Sequence, residues 1–281
     1  MKIVQSLKHN KYTYCVGHII AAIVRGIILD NIDLLFIYLR KYNIVSNKRF
    51  SRMKSLKNTH EGERCFILAT GPSLTMEDLE LLKNEYTMGV NSLVKIIDKL
   101  SYTPNCLGIQ DKFVYEKLKD DFARVKISNI FIWDKVFKDC PNRNDSKYIV
   151  FPKYHSHHAF WDLIGKKSTG FSSDCSVIVY DGYTITYSLI QIAVYMGFKE
   201  IYLLGCDCSY SATGKQHFVE YGHVDKRAVS STERLIYAYE EAKKYIKKYH
   251  PDVKVYNATR GGKLEVFERK TLEEVFGTTS L

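Results

Sequence analysis

Cys65-Phe66-Ile67-Leu68-Ala69-Thr70-Gly71-Pro72-Ser73-Leu74 decides the fold. A run of apolar and small residues meets a Gly-Pro pair, the pattern of a short strand buried on both faces that ends in a tight turn. Thr75-Met76-Glu77-Asp78-Leu79-Glu80-Leu81-Leu82 follows with helix-start chemistry: a hydroxyl residue, acids in the first turn, then apolar residues at helical spacing. The stretch reads strand, turn, helix. Thr70, Ser73 and Thr75 place hydroxyls in the turn, and Gly71 admits close approach of the backbone. The helix start adds unpaired N–H groups with partial positive charge. Such a turn suits an anionic ligand, but most strand-to-helix turns bind nothing, so the weight falls on what else reaches the same edge.

Downstream, Thr87 to Asn91 reads as a second strand with Asn91 at its carboxyl end, and Ser92 to Leu100 as a helix with Leu93, Ile96, Ile97 and Leu100 on one side. Pro104 ends it. Cys106 to Gln110 is a third strand, followed by Asp111 and an amphipathic helix through Phe122; Ile127 to Trp133 is a fourth. This alternation predicts a parallel sheet with right-handed crossovers. From Lys135 to Gly182 the pattern loosens around a short strand at Tyr148 to Phe151. His155, His157 and His158 lie there without a carboxylate or cysteine at ligand spacing, and read as a solvated loop. A helix from Ile185 to Met196 stops at Gly197, and Glu200 to Asp207 is a strongly apolar strand. Ser209 to Ala228 is polar and irregular, a flap holding Tyr210, His217, Tyr221 and His223. Ser230-Ser231-Thr232-Glu233 reads as a capping box opening a helix to Tyr249. A strand at Val253 to Asn257, a turn at Ala258 to Gly262 and a short terminal helix complete the chain.

The expected fold class is α/β: a Rossmann-like, mostly parallel sheet flanked by helices, with a small flap and an N-terminal helical extension. Residues 1–60 form the basic amphipathic extension, and residues 61–281 the catalytic domain with its lid around 208–228. In a parallel sheet the carboxyl ends of the strands deliver side chains to one crevice, which groups Asn91, Gln110, Asp111 and Asp207 with the Gly71 turn.

Charge is unevenly placed. Residues 1–60 hold eleven Lys or Arg against Asp30 and Asp33, a net of +9 out of +10 for the whole chain. The remainder is nearly neutral, so a nucleic-acid-binding surface is not expected there. Seven cysteines without CxxC spacing read as reduced thiols of a cytoplasmic protein. Cys206 and Cys208, the only close pair, read as small apolar residues at a strand end. No secretory signal is read at the N-terminus, and Arg25, Asp30, Asn31 and Asp33 break up its apolar residues before they reach spanning length. Two amphipathic helices within residues 12–57, flanked by Arg40, Lys41, Lys48, Arg49, Arg52, Lys54 and Lys57, fit either a surface lying on anionic lipid or a cap packed on the core. The expected location is cytoplasmic, peripheral on the inner face of the cytoplasmic membrane.

Ala69 to Leu74, Gly89-Val90-Asn91, Met196 to Asp207 and Asn257 to Glu265 together resemble the hydroxymethylpterin pyrophosphokinase-like domain family. That domain also forms the core of motility accessory factor glycosyltransferases and occurs in surface-polysaccharide gene sets. The first and third segments are similar, more distantly, to bacterial lipooligosaccharide sialyltransferases. The likeness covers about residues 60–276. It implies that Gly71 and Ser73 face a donor phosphate, Asn91 the nucleotide or phosphate, and Thr184 the cytidine-sugar side. Thr70 stands where many relatives carry Asn. A lid histidine would act as general base, with His217 favoured over His223, and Tyr210 and Tyr221 would assist departure of the phosphate.

The activity this implies is glycosyl transfer, of a nonulosonic acid from a CMP-linked nucleotide-sugar donor to a surface glycan or lipid-linked acceptor, with inversion and no obligatory cofactor or metal. Asp120-Asp121 falls in a helical pattern and is not read as a metal motif; Asp111 and Asp207 are the pair that convergence in space would turn into a magnesium site. One alternative is ATP-dependent pyrophosphoryl transfer to a hydroxymethylpterin, using magnesium and a clamp from Arg260 and Lys263. Another is a non-catalytic nucleotide-binding protein on a membrane surface.

Overall fold

The computed structural model describes residues 30–141, 145–154, 169–208, 218–220, 222 and 228–277, with single positions at 17, 20, 24 and 28. Two compact units divide the chain. One draws on residues 1–47 and 154–169, and the other comprises Lys48–Lys153 with Gly170–Leu281. In the first, helix α1 (Asp30–Lys41) leaves Ile32, Leu34, Leu35, Phe36 and Tyr38 exposed and ends on Arg40 and Lys41.

The second unit is built on eight parallel strands: β1 (Arg64–Leu68), β2 (Tyr86–Val90), β3 (Cys106–Ile109), β4 (Ile130–Trp133), β5 (Tyr148–Phe151), β6 (Glu200–Leu204), β7 (Lys254–Asn257) and β8 (Glu268–Arg269). Their order across the sheet is β8-β7-β6-β1-β2-β3-β4-β5. Every pairing is parallel, with Cys65 opposite Tyr86 on one side and Ile201 on the other.

Period-two alternation along β1 supplies both faces of the core. Cys65 and Ile67 pack with α5 (Ile185–Met196) and α6 (Ala228–Tyr249). Phe66 and Leu68 turn the other way, toward α3 (Met76–Leu81). All twelve residues of α5 are buried, which explains its near-continuous apolar sequence. Val114, Leu118 and Phe122 of α4 (Lys112–Arg124) cover β3 and β4. Helix α2 (Ser51–Ser55) joins this unit rather than solvent: Phe50 and Met53 are buried, and the Arg52 guanidinium donates to the carbonyls of Ser146 and Tyr148 and to Asn129 Oδ1. The terminal helix α7 (Leu272–Phe276) opens with a Thr271–Glu274 capping box.

The expected helix over Ser92 to Leu100 is instead two 3₁₀ turns, Asn91–Lys95 and Ile97–Lys99. Leu93 and Ile96 belong to the cluster under α3, whereas Val94 and Ile97 belong to the one under α4. Serving two clusters splits a segment that a single α-helical face would send to one. Ser230 does not open its helix either, since α6 already runs from Ala228.

Candidate functional site

Strands β1 to β5 step outward in one direction, and β6 then returns to the other side of β1. That reversal leaves a crevice at the carboxyl ends of β1 and β6, the topological switch point of an open parallel sheet. A cavity of about 90 Å³ lies there, lined by Thr70, Gly71, Asn91, Thr184, Thr186 and Asp207, with Cys206, Cys208, Leu235 and Tyr239 beside them. Its volume corresponds to several water molecules at roughly 10–15 Å³ each, which is the scale of one anionic group.

The turn that opened the sequence reading forms one wall. Ala69 N–H donates to Leu204 O and Gly71 N–H to Gly205 O, each at 2.9 Å, so the two strand ends stay side by side past the sheet. A Cβ on Gly71 would overlap the Asp207 carboxylate and the Gly205 carbonyl, and Gly205 itself has φ +65°. Only glycine fits that approach. Ser73 Oγ donates to Asp207 Oδ2 at 2.8 Å, so its hydroxyl orients the carboxylate. Thr75 caps α3 in a reciprocal box with Asp78, whose carboxylate also takes a two-armed ion pair from Arg260.

The Asn257-to-Lys263 motif clamps Asp207 from the other side. Thr259 Oγ1 accepts from Cys206 N–H at 2.9 Å, Lys263 N–H donates to Asp207 O at 2.7 Å, and Asn257 Nδ2 donates to Leu264 O at 2.6 Å. Burial pushes the Cys208 thiol up to about 12 and Cys206 well above its ordinary value, with the Asp207 charge adding to both. Both sulfurs are therefore protonated near neutral pH and poor nucleophiles.

The third wall is the start of α5. Thr184 Oγ1 accepts from Thr186 N–H at 3.3 Å as the cap. The preceding turn hangs on Asp181, whose carboxylate accepts from Tyr183 N–H at 3.0 Å, from Gln110 Nε2 at 3.3 Å and from Lys153 Nζ at 2.9 Å. Lys153 is buried and its ammonium sits 4.2 Å from the Trp133 ring centroid; Ser188 Oγ closes the network on Gln110 Oε1 at 2.7 Å. These groups position the helix start whose N–H dipoles face the cavity.

Asn91 differs from all of these. Its backbone is left-handed at φ 46°, and its side-chain oxygen is buried without a protein partner, as is the Ser92 hydroxyl beside it. Of the five non-glycine residues with positive φ among those described, Asn91 and Cys208 line the cavity and Tyr183 directly precedes Thr184. Strain and an orphaned polar atom gathered in one crevice mark a ligand site.

Thr70, Gly71, Asn91, Thr184 and Asp207 thus meet at one rim, with Ser73 acting on Asp207. Gln110 turns inward to the Lys153 network. Asp111 caps α4, accepting from Val114 N–H at 3.0 Å, and stands three strand spacings from Asp207, ~14 Å at 4.8 Å per strand, so the two do not converge. Among the described residues no three His, Cys, Asp or Glu side chains cluster as a metal set. Tyr210, His217, Tyr221 and His223, and the His155–His158 group, lie outside the described residues. Thr186, Leu235 and Tyr239 also line the crevice; Leu235 and Tyr239 read from sequence as the apolar face of their helix, and only the packing of α5 and α6 brings these residues to the cavity.

Fold and site together define an α/β protein with a switch-point crevice of the kind that holds phosphate-bearing ligands. The chain belongs to the 6-hydroxymethylpterin diphosphokinase MptE-like family, whose match spans residues 41–213. Among solved structures it is similar to the MAf glycosyltransferase from Magnetospirillum magneticum AMB-1, at 15% identity and a TM-score of 0.45 over 80% of this chain and 38% of that one. The sialyltransferase CstII from Campylobacter jejuni, solved with cytidine-5'-monophosphate, is similar at 13% identity and a TM-score of 0.46 over 74% of this chain and 85% of that one. This chain thus spans well under half of the Magnetospirillum protein's length, and both similarities are of fold. No curated protein sequence matches it.

Proposed function

We propose that the protein is a glycosyltransferase whose crevice holds the phosphate of a nucleotide sugar, with a CMP-linked nonulosonic acid as donor. The observation that carries this reading is the recess beside Asn91: it has room for one phosphate, and the buried side-chain oxygen of Asn91 on its wall has no partner in the chain. That oxygen is an acceptor, and a hydroxyl of the nucleotide or sugar next to the phosphate supplies the donor it lacks. Arg260, the natural clamp for a chain of phosphates, is committed to Asp78. That favours a donor with one phosphate over ATP-dependent pyrophosphoryl transfer.

In the proposed reaction an acceptor hydroxyl attacks the anomeric carbon, its proton passes to a flap histidine, and the bond from that carbon to the phosphate oxygen breaks. His217 is the assigned base, with His223 its rival; Tyr210 and Tyr221 would assist the leaving group from the same flap. The electron pair of the broken bond goes to the nucleotide phosphate, where N–H groups at the start of α5 and hydroxyls of the Thr70 and Thr184 walls stabilise the growing charge. Asp207, held by Ser73, would accept hydrogen bonds from hydroxyls of the donor.

Thermal-shift titration against CMP, UDP, GDP and ATP, each with and without magnesium, tests the reading. Stabilisation by CMP without magnesium is expected; a response confined to ATP with magnesium would overturn it in favour of the pyrophosphokinase, and no response to any nucleotide would overturn both.

The acceptor is proposed to be a surface glycan or lipid-linked, met at the inner membrane face through α1. Among the described residues no helix is long and apolar enough to cross a membrane. The support is α1 itself: Leu35 is 54% and Phe36 48% exposed next to Arg40 and Lys41, a pairing of apolar and basic groups suited to anionic lipid. Co-flotation with phosphatidylglycerol vesicles, and its loss in a Leu35→Glu/Phe36→Glu variant, is the expected result.

A further inference from the structure

At the amino ends of β4 and β5, on the edge of the sheet away from the crevice, a second recess of about 540 Å³ opens. Arg52 of α2, the segment 125–129 between α4 and β4, and the segment 145–147 before β5 line it. Its charged groups are the cations Arg52, Lys126 and Lys147 against the single carboxylate of Asp145. That carboxylate is already spent on Lys147, accepting from its N–H at 3.0 Å and pairing with Nζ at 3.3 Å. Arg52 and Lys126 are left without a counter-charge.

The Arg52 guanidinium is tied to neutral acceptors only, the carbonyls of Ser146 and Tyr148 and Asn129 Oδ1. These bonds fix its plane without cancelling its charge. Lys147 is held as firmly: its side chain is 12% exposed, and Nζ also donates to Ala123 O at 3.1 Å. Lys126 makes no ion pair or hydrogen bond with any described residue. Neutral donors complete the lining, since Asn129 gives its oxygen to Arg52 and keeps Nδ2 without a protein partner, and Ser128 adds an exposed hydroxyl.

Loose surface lysines must be ordered by whatever they bind, and that cost cancels much of the attraction. Here the fold has already ordered two of the three cations, so less is lost when an anion arrives. A wall rich in donors and short of free acceptors matches a group that only accepts, and three phosphate oxygens are such a group. The volume exceeds one phosphate and leaves room for the small alcohol or sugar that carries it.

We propose that this recess is a second anion site, which takes the phosphate of a phosphate ester between Arg52, Lys126 and Lys147. It stands independently of the glycosyltransferase reading. The same contacts serve a soluble ester such as glycerol phosphate or the headgroup of an anionic lipid. Sequence analysis did not group these residues, because Arg52 lies more than seventy positions before the other two and only the packing of α2 beside β5 brings them together.

Isothermal titration of the full chain with glycerol phosphate tests the soluble source. The wild-type chain is expected to bind it, and Lys126→Gln to weaken it about tenfold, the size of one lost charge-assisted contact. Lys147→Gln should weaken it too, with its thermal midpoint checking the fold, whereas Lys57→Gln, a basic residue outside the recess, should change nothing. Flotation on phosphatidylglycerol vesicles tests the lipid source, using the Leu35→Glu/Phe36→Glu chain so that α1 does not contribute. Residual flotation that is absent from phosphatidylcholine vesicles and lost on adding Lys126→Gln assigns the ester to a lipid. Binding of neither probe by the chain with an intact recess, binding of both probes unchanged in Lys126→Gln, or an equal loss in Lys57→Gln would overturn the site.

Discussion

Two groups of polar residues share the carboxyl edge of the sheet, and they are satisfied in opposite ways. Around the ends of β3, β4 and β5, Gln110 and Lys153 share hydrogen bonds with Asp181 and Ser188 from the start of α5, and Lys153 packs on the Trp133 ring. At the ends of β1, β2 and β6, the Asn91 oxygen and the Ser92 hydroxyl are buried with no protein partner, and the backbone at Asn91 and Cys208 is left-handed. The first group is finished by folding. The second is left open, which is where the proposed function puts a ligand. Position at a strand end does not distinguish them; what does is whether the partners come from the chain itself.

The sharpest way to break that contrast is to remove a charge from the finished group. Lys153→Met strands the Asp181 carboxylate in the interior and should cost about 3–5 kcal/mol of stability, read from chemical denaturation. The double variant Lys153→Met/Asp181→Asn should recover part of it. A loss below 1 kcal/mol would mean that the network does not hold the Thr184 turn. Next in size, Gly71→Ala puts a methyl group into the Asp207 carboxylate and the Gly205 carbonyl, and should cost about 1–3 kcal/mol by denaturation while abolishing CMP binding. Retention of both would place the ligand elsewhere. The smallest stability effect is expected in the unfinished group: Asn91→Gly relieves the left-handed backbone, so stability should hold within about 1 kcal/mol by thermal melting. The same variant should bind CMP more weakly. Stability lost with binding retained would make Asn91 a structural residue.

The same contrast explains what was legible beforehand. Strand and helix positions around the Gly71 turn followed from apolar runs and punctuation, and α5 and β5 fall at the expected residues because both are bounded by clear stops. The meeting of Asn91 and Asp207 beside the Gly71 turn follows from parallel topology, which sends every strand end to one edge, whereas Thr184, the cap of α5, enters only through the family resemblance. The destiny of Gln110 did not follow, since it depends on Asp181 and on Lys153, a cation in a stretch without regular pattern. Periodicity also missed the division of the segment after Asn91, where alternate residues serve two different clusters. Arg52, grouped from sequence with the basic surface, is used inside the fold to tie α2 to the start of β5.

A crystal of the chain soaked with CMP tests the central claim most directly. Phosphate density between the Gly71–Pro72 turn, Asn91 and the Thr184 start of α5 is the expected result. Well-ordered nucleotide bound anywhere else, such as the basic recess formed by Lys126 and Lys147 at the opposite edge of the sheet, with the Asn91 crevice still filled only by water, would contradict it.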